Sequence, residues 1–196
     1  MRSRGFSCLI LGMWLAGGLF LAVAARTSFR NVDRILDQPR PGAMVRIAKL
    51  GAADARMLLR YTVAEQNRDD SELWENGQLL LAFLFFFYLL FATREDKFVL
   101  GVALLLIVMV AIERFLVTPN VAALGRLLDF VPEAAPSPYR GRFAVLRHTH
   151  TGMEMAKWVV QLGLAALLIS RSRRSSRNSG RKLNVVDKPD YGHVDR

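Results

Sequence analysis

Four runs of apolar residues, each near the length needed to cross a bilayer, are separated by more polar stretches of the chain. They occupy residues 8–25, 78–92, 98–117 and 155–170. A helix rises about 1.5 Å per residue, so each run fits the hydrocarbon core of a membrane. The pattern predicts an all-α fold, an integral membrane four-helix bundle that takes up residues 1–170.

Between the first two runs, apolar and basic residues recur at helical spacing from Met44 to Val63. This spacing predicts an extra amphipathic helix outside the membrane, over about 43–64. The helix either lies on the membrane surface or continues into the second span. Prolines and a glycine predict a break before this helix and another before the fourth run: Pro39, Pro41, Gly42, Pro132, Pro136 and Pro138.

The first run has two interpretations. Arg2 and Arg4 precede it and small residues end it at 22–25, as in a cleaved secretory signal. However, the run is longer than a usual signal core, and its small residues recur at spacings that let helices pack closely in lipid. These residues are Gly12, Ala16, Gly17, Gly18 and Ala22. We favour a retained span, and cleavage stays open as the alternative.

The chain carries 27 Lys and Arg against 17 Asp and Glu, a net charge of +10. A basic cluster directly follows the fourth run: Arg171, Arg173, Arg174, Arg177, Arg181 and Lys182. No nucleic-acid recognition module accompanies it, so we expect binding to anionic lipid head groups and not to nucleic acid. Residues 171–196 are predicted to form a disordered cytoplasmic tail. With Arg2 and Arg4, the cluster predicts that both termini face the cytoplasm. We expect the membrane to be a bacterial inner membrane.

Polar residues gather where the predicted spans meet the outer surface. Ionisable groups near a membrane are costly to desolvate, so they are the best candidates for a site. The predicted outer polar cluster contains Glu75, Gln78, Glu113, Arg114, His148, His150, Glu154 and Lys157. His150 and Glu154, four residues apart, share a helix face, whereas His148 does not. Arg114 is expected to pair with Glu75 or Glu154, or else to extend to the membrane interface.

The chemistry of this cluster admits three interpretations. A structural network of hydrogen bonds and ion pairs is favoured, with no cofactor. Two imidazoles and a carboxylate also suit a transition metal, which makes His148, His150 and Glu154 a candidate metal set, although no HExxH motif is present. A small-molecule or proton site is the third possibility. No motif names a reaction, so catalytic residues are unknown and an enzyme is not favoured.

Several segments together resemble a family of small four-span membrane proteins of unassigned function, found in bacteria and with distant eukaryotic relatives. The resemblance rests on residues 11–20, 65–68, 74–78, 119–120 and 142–148, with Glu154 and Lys157. It implies retained spans and a four-helix fold, and it implies no activity. The chain departs from the family pattern at Ala16, where a glycine is expected.

These observations predict a non-enzymatic membrane protein. Its outer polar cluster would serve assembly or the binding of a partner, either another membrane protein or a second copy of the chain. One alternative is a metal-dependent membrane enzyme or redox protein that uses His148, His150 and Glu154. A small transporter is the other and is less favoured, because transporters bind substrates near the bilayer midplane and the four runs have few polar residues at their centres.

Overall fold

The computed structural model describes the backbone of residues 2–92, 96–131 and 135–183 and the side chains of residues 5–91, 96–131 and 135–171. Within these ranges the chain is helical and has no strand, which confirms the all-α prediction. The elements are α1 (Arg2–Asp37), α2 (Pro41–Leu50), α3 (Ala52–Ala92), α4 (Lys97–Ile112), a π-turn (Glu113–Val117), α5 (Thr118–Leu128) and α6 (Tyr139–Leu183).

Four helical stretches are long and apolar enough to cross a membrane: Gly5–Asp37, Ala52–Phe91, Lys97–Leu128 and Tyr139–Arg171. They indicate an integral membrane protein. The shortest has 32 residues, so it extends about 48 Å at about 1.5 Å per residue. The hydrocarbon core is only about 30 Å thick. Each stretch is therefore longer than the bilayer requires and projects beyond it.

The four long helices form a ring in which each contacts two neighbours. Helix α1 packs against α3 and α6, and α4 packs against the same two helices. Their inward-facing apolar side chains form one continuous buried core, which includes Leu11, Trp14, Phe85, Leu89, Leu106 and Leu168. Many large apolar side chains face outward instead, as lipid contact requires. This arrangement is the predicted four-helix bundle.

Contacts between α1, α3, α4 and α6 identify the two ends of the bundle. The rings of Phe6 and Tyr88 lie 4.8 Å apart, and Arg171 forms a 2.7 Å ion pair with Asp96. The start of α1, the connection from α3 to α4 and residue 171 of α6 therefore share one end, here called the Asp96 end. The connection from α5 to α6 begins at the opposite end, here called the Asp129 end.

The predicted amphipathic segment, 43–64, is divided between two helices. The division falls at Gly51, whose φ of 88° is readily adopted only by glycine. Before it, α2 has no buried residue, in keeping with a helix at the surface. After it, α3 runs without interruption from Ala52 to Ala92. The structure thus has two helices where one was predicted, and the second of them continues into the helix that contains the second apolar run.

The third long helix extends beyond the apolar run that ends at 117, because it passes Pro119 and continues to Leu128. Proline has no N–H and its ring crowds the carbonyl four residues earlier. The π-turn relieves this conflict by bonding the Thr118 N–H to the carbonyl of Glu113. The side chain of Asn120 then donates to the Leu116 carbonyl at 2.6 Å. The wider turn and the side-chain amide of Asn120 therefore let the helix pass the proline without a break.

The last helix is also longer than the predicted span of 155–170. It begins at Tyr139, directly after Pro138, and runs to Leu183. The backbone of 171–183 is therefore helical and does not start a disordered tail. Arginine has a high helix propensity, so a basic run after an apolar span continues a helix at little cost. The rest of the predicted tail, 184–196, lies outside the described residues.

The small residues of α1 accept two tryptophan rings from neighbouring helices. A Cβ added to Gly17 would lie 2.1 Å from Cη2 of Trp74, and one added to Gly18 would lie 3.1 Å from Nε1 of Trp158. Gly12, by contrast, has nothing within 4 Å. Two of the predicted packing glycines thus face indole rings of α3 and α6, and Gly12 has no such role.

Candidate binding site within the helix bundle

A network of polar side chains lies buried inside the bundle at the level of Lys157. The Lys157 ammonium donates to Gln78 Oε1 at 2.7 Å, to Glu154 Oε1 at 2.8 Å and to Glu113 Oε2. Gln78 also donates to Glu154 Oε1 at 3.0 Å. Gln78, Glu113 and Lys157 are at most 1% exposed. One network therefore connects α3, the π-turn and α6.

His150 lies over this network, between carboxylates of two other elements. Its Nε2 is 3.6 Å from Glu75 Oε1, and its Nδ1 is 3.4 Å from Glu113 Oε1. Both distances exceed ordinary hydrogen-bond lengths. A neutral imidazole carries one N–H and an imidazolium two, so only the charged ring could donate to both carboxylates. The side chain is 26% exposed, whereas both carboxylates are buried. His150 thus covers Glu75 and Glu113.

The π-turn places two members of the site. It begins at Glu113, which it directs into the bundle, and it ends just before Thr118, whose hydroxyl donates to Glu75 Oε1. Such turns are frequent at functional sites, because they change the direction of side chains within an otherwise regular helix. Thr118 was not predicted as a site residue.

Several buried polar atoms have no hydrogen-bond partner among the described residues. Two are carboxylate oxygens, Glu75 Oε2 and Glu113 Oε1, and both side-chain polar atoms of Gln161 belong to the same group. Gln161 lies one turn beyond Lys157, towards the Asp96 end. Unpaired buried polar atoms are costly and are rarely kept without a reason. The unpaired carboxylate oxygens could accept hydrogen bonds from a further N–H or O–H donor at this level of the bundle.

A cavity of about 710 Å³ extends from this level towards the Asp129 end. Glu75, Thr118, His150 and Glu154 line its floor. Helix α1 supplies an apolar wall that includes Gly18, Leu21, Ala22, Ala25 and Phe29, and Trp74 and Trp158 complete it. Exposed charged residues line the opening: Asp69, Glu72, Arg126 and Arg147. A polar floor below apolar walls is the usual composition of a small-molecule site.

A second hollow, of about 530 Å³, lies against α1 and α3. It is lined by Leu21, Asp70, Leu73, Trp74, Asn76, Gly77 and Leu80. Its lining includes no buried ionisable side chain. We therefore take the larger cavity, whose lining includes buried Glu75, as the candidate site.

Ion pairs hold the helices together at the mouth of the larger cavity. Arg68 of α3 donates to both oxygens of Asp129, at 2.8 and 2.6 Å, and also to Glu65. Arg126 of α5 pairs with Glu65 at 2.7 Å. Bidentate arginine–carboxylate pairs fix geometry as well as charge. These pairs hold α5 to the projecting part of α3, and sequence analysis did not predict them.

Arg114 does not pair with Glu75 or Glu154 as expected. Its guanidinium donates to Glu72 at 2.6 Å and to Asn76 at 2.8 Å. The partners are different because the helix continues past Arg114 through the π-turn into α5, which keeps this side chain beside the outer part of α3. Arg114 therefore contributes to the cavity wall and is not part of the buried network.

The structure does not assemble His148, His150 and Glu154 into a metal site. His148 is exposed, and its Nδ1 lies 2.7 Å from the carbonyl oxygen of Ala144. It sits two residues from His150, so it points to another side of α6. Within the described part of the chain, no group of three His, Cys, Asp or Glu residues could hold a metal ion.

Of the predicted lipid-binding residues, only Arg171 has a described side chain, and it pairs with Asp96. The side chains of Arg173, Arg174, Arg177, Arg181 and Lys182 lie outside the described residues. Their binding to anionic lipid head groups stays a prediction.

Fold and site together define a class: an integral membrane helix bundle with a cavity above a buried ion-pair network. Comparison of the chain with protein-family models, curated protein sequences and solved structures gives no match.

Proposed function

We propose that the chain is a non-enzymatic integral membrane protein that binds a small amphipathic molecule in the 710 Å³ cavity. The observation that carries this proposal is the cavity itself, with apolar walls from α1 and a floor of buried polar groups. Direct docking of a protein partner on the network is less favoured, because Glu75, Gln78, Glu113 and Lys157 are buried. A small molecule reaches the floor through the cavity.

The contacts of Lys157 and His150 support a binding role over catalysis. The Lys157 ammonium has three N–H donors, and three acceptors occupy them. The ring nitrogens of His150 face two carboxylates and not a hydroxyl or thiol to be activated. Neither side chain has the arrangement of an activated nucleophile or of its base.

We further propose that the protein lies in a bacterial inner membrane with its first span retained and both termini in the cytoplasm. Burial of Leu11 and Trp14 in the core supports retention of α1. The basic residues at both ends of the chain belong to helices whose described parts meet at the Asp96 end, and positive residues favour the cytoplasmic side. On this orientation, Lys157 lies about 21 Å along α6 from Arg171, at about 1.5 Å per residue. We therefore propose that the network lies within the outer third of a core about 30 Å thick.

Reporter fusions at the two ends of the chain test the orientation, and both are expected to report a cytoplasmic location. Amino-terminal sequencing of the mature protein tests retention of α1. A protein that starts after residue 25 would replace the four-span arrangement with three spans.

Binding in the cavity is tested with two neighbouring alanines of α5. Ala122 lines the cavity, whereas exposed Ala123 does not. Ala122→Phe places a ring in the cavity, and Ala123→Phe adds the same ring outside it. Hexanol, a small neutral amphiphile, is titrated into lipid nanodiscs containing each variant, and the signal of empty nanodiscs is subtracted.

We expect saturable hexanol binding to the parent protein and to Ala123→Phe, and its loss in Ala122→Phe. Thermal unfolding of each variant confirms that the fold is retained. Equal hexanol binding by the two variants would refute the proposed function. The absence of saturable binding by the parent protein of hexanol and of its amine and carboxylate analogues would also refute it.

A further inference from the structure

The geometry points to a ligand with a primary ammonium group on an apolar body, an inference that rests on the proposed cavity function. The ammonium would lie at the floor, beside Glu75 and Glu113, and the apolar body against the wall from α1. Most donors at the floor and mouth of the cavity already have partners, whereas acceptors at the floor do not, and this difference favours an ammonium group.

The floor offers acceptors. Glu75 Oε2 and Glu113 Oε1 are buried and have no hydrogen-bond partner among the described residues. The Lys157 ammonium pairs with the carboxylates of Glu113 and Glu154, and Glu75 adds a third carboxylate, 3.6 Å from His150 Nε2. Leaving carboxylate oxygens buried and unpaired is costly, so a second cation with several N–H donors would be stabilised there. A primary ammonium has the same donor chemistry as Lys157.

An anionic head group finds little to bind at the same level. All three donors of Lys157 are occupied. Three of the arginines that line the cavity already hold carboxylates: Arg68 pairs with Asp129, Arg114 with Glu72 and Arg126 with Glu65. The fourth, Arg147, is exposed, so solvent screens its charge. Charge at the floor thus selects against anions.

The rest of the cavity suits an apolar body. Leu21, Ala25 and Phe29 of α1 and the ring of Trp158 line it. Asn67 Nδ2 and Trp74 Nε1 are also buried and have no hydrogen-bond partner in the described part of the chain, and both residues line the cavity. These two donors are neutral, so leaving them unpaired costs less than leaving a carboxylate unpaired. They accommodate a hydrogen-bond acceptor on the ligand body.

His150 controls access to the floor. Its ring covers Glu75 and Glu113 and is itself partly exposed to the cavity. A ligand ammonium therefore reaches the carboxylates when this ring turns aside. The groups that face the ring are Glu75 from α3 and Glu113 from the π-turn, with Arg147, Glu154 and Lys157 close to it on α6.

Three probes with the same chain length test the ligand class: hexylamine, hexanol and hexanoate. Each is titrated into the full-length protein in nanodiscs, and fluorescence of Trp74 and Trp158 reports occupancy because both rings line the cavity. Hexylamine is expected to bind about tenfold or more tightly than hexanol, and hexanoate more weakly than both. The tighter binding of hexylamine would come from charge-assisted hydrogen bonds between its ammonium and the two carboxylate oxygens, Glu75 Oε2 and Glu113 Oε1.

Two isosteric variants locate the selectivity. Glu75→Gln removes a charge at the floor and is expected to weaken hexylamine binding about tenfold more than it weakens hexanol binding. Saturable hexanol binding by this variant also shows that it is folded. Asp69→Asn removes a charge from the exposed opening and is expected to change hexylamine binding less than about twofold, because solvent screens that group.

The two proposals fail in different ways. If hexanol or hexanoate binds the parent protein as tightly as hexylamine, and Ala122→Phe still abolishes binding, the cavity function stands and the ammonium inference is wrong. An equal effect of Glu75→Gln on hexylamine and hexanol also overturns the inference. If none of the three probes binds in a saturable way, the proposed function fails, and this inference fails with it.

Discussion

Replacing Lys157 with methionine is expected to destabilise the protein more than almost any other single change. The ammonium is fully buried and donates to Gln78, Glu113 and Glu154. Its removal leaves the Glu113 carboxylate buried without its counter-ion. Breaking a buried ion pair from one side costs about 3–5 kcal/mol, because the remaining charge is uncompensated. We therefore expect Lys157→Met to lower the free energy of unfolding by about that amount.

A double-mutant cycle separates the ion pair from simple loss of packing. Combining Lys157→Met with Glu113→Gln removes both charges, so the orphaned carboxylate no longer contributes. The double variant is expected to lose at least about 1 kcal/mol less than the sum of the two single variants. Exposed Lys49 provides the control: Lys49→Met is expected to change stability by less than about 0.5 kcal/mol.

Reversible unfolding in mixed micelles with rising SDS, followed by far-ultraviolet circular dichroism, gives these free energies. A loss of under about 1 kcal/mol for Lys157→Met would mean that the network does not hold the helices together. Strict additivity in the cycle would mean that Lys157 and Glu113 do not interact as the structure places them.

The remaining predictions use the same assay. Gly17→Ala is expected to lower the free energy of unfolding by about 1–3 kcal/mol, because its Cβ would lie 2.1 Å from Trp74. Gly12→Ala has open space and is expected to be neutral or slightly stabilising. Equal effects of the two variants would contradict the packing of Trp74 on α1. Arg68→Gln is expected to cost about 1–3 kcal/mol through loss of its bidentate pair with Asp129, and exposed Arg26→Gln less than about 0.5 kcal/mol. Matching losses for the two arginines would show that the Asp129 pair does not stabilise the cavity mouth.

Sequence alone predicted the class of the fold but placed helix ends poorly, for a physical reason. Apolar runs record the part of a helix that contacts lipid and other helices in the membrane. The polar extensions of the same helices lack an apolar run. Examples are the first part of α3, which begins at Ala52, and the first part of α6, which begins at Tyr139. The same holds for the third run, because the π-turn that carries the helix past Pro119 leaves no trace in local composition.

The site was predicted in outline. Six of the eight residues of the predicted cluster, Glu75, Gln78, Glu113, His150, Glu154 and Lys157, lie together in the bundle. His148 and Arg114 lie elsewhere, because direction around a helix cannot be assigned until the helix limits are known. Gln161 could have been found, since it follows Glu154 and Lys157 at helical spacing on α6. The cavity could not, because its wall comes from small residues of α1 that carry no chemical signature.

The π-turn also makes the length of one short segment part of the binding site. A π-turn bonds each N–H one residue further back than an α-helix does, so it holds one residue more. If Glu113–Val117 closed as regular α-helix at the same chain length, α5 would rotate by about 100° relative to α4, because the wide turn takes up one residue. Thr118 and Ala122 would then turn away from the cavity. Removing one residue together with the wide turn would keep the register of α5, so the geometry of the site depends on the match between the length of this segment and the width of its turn.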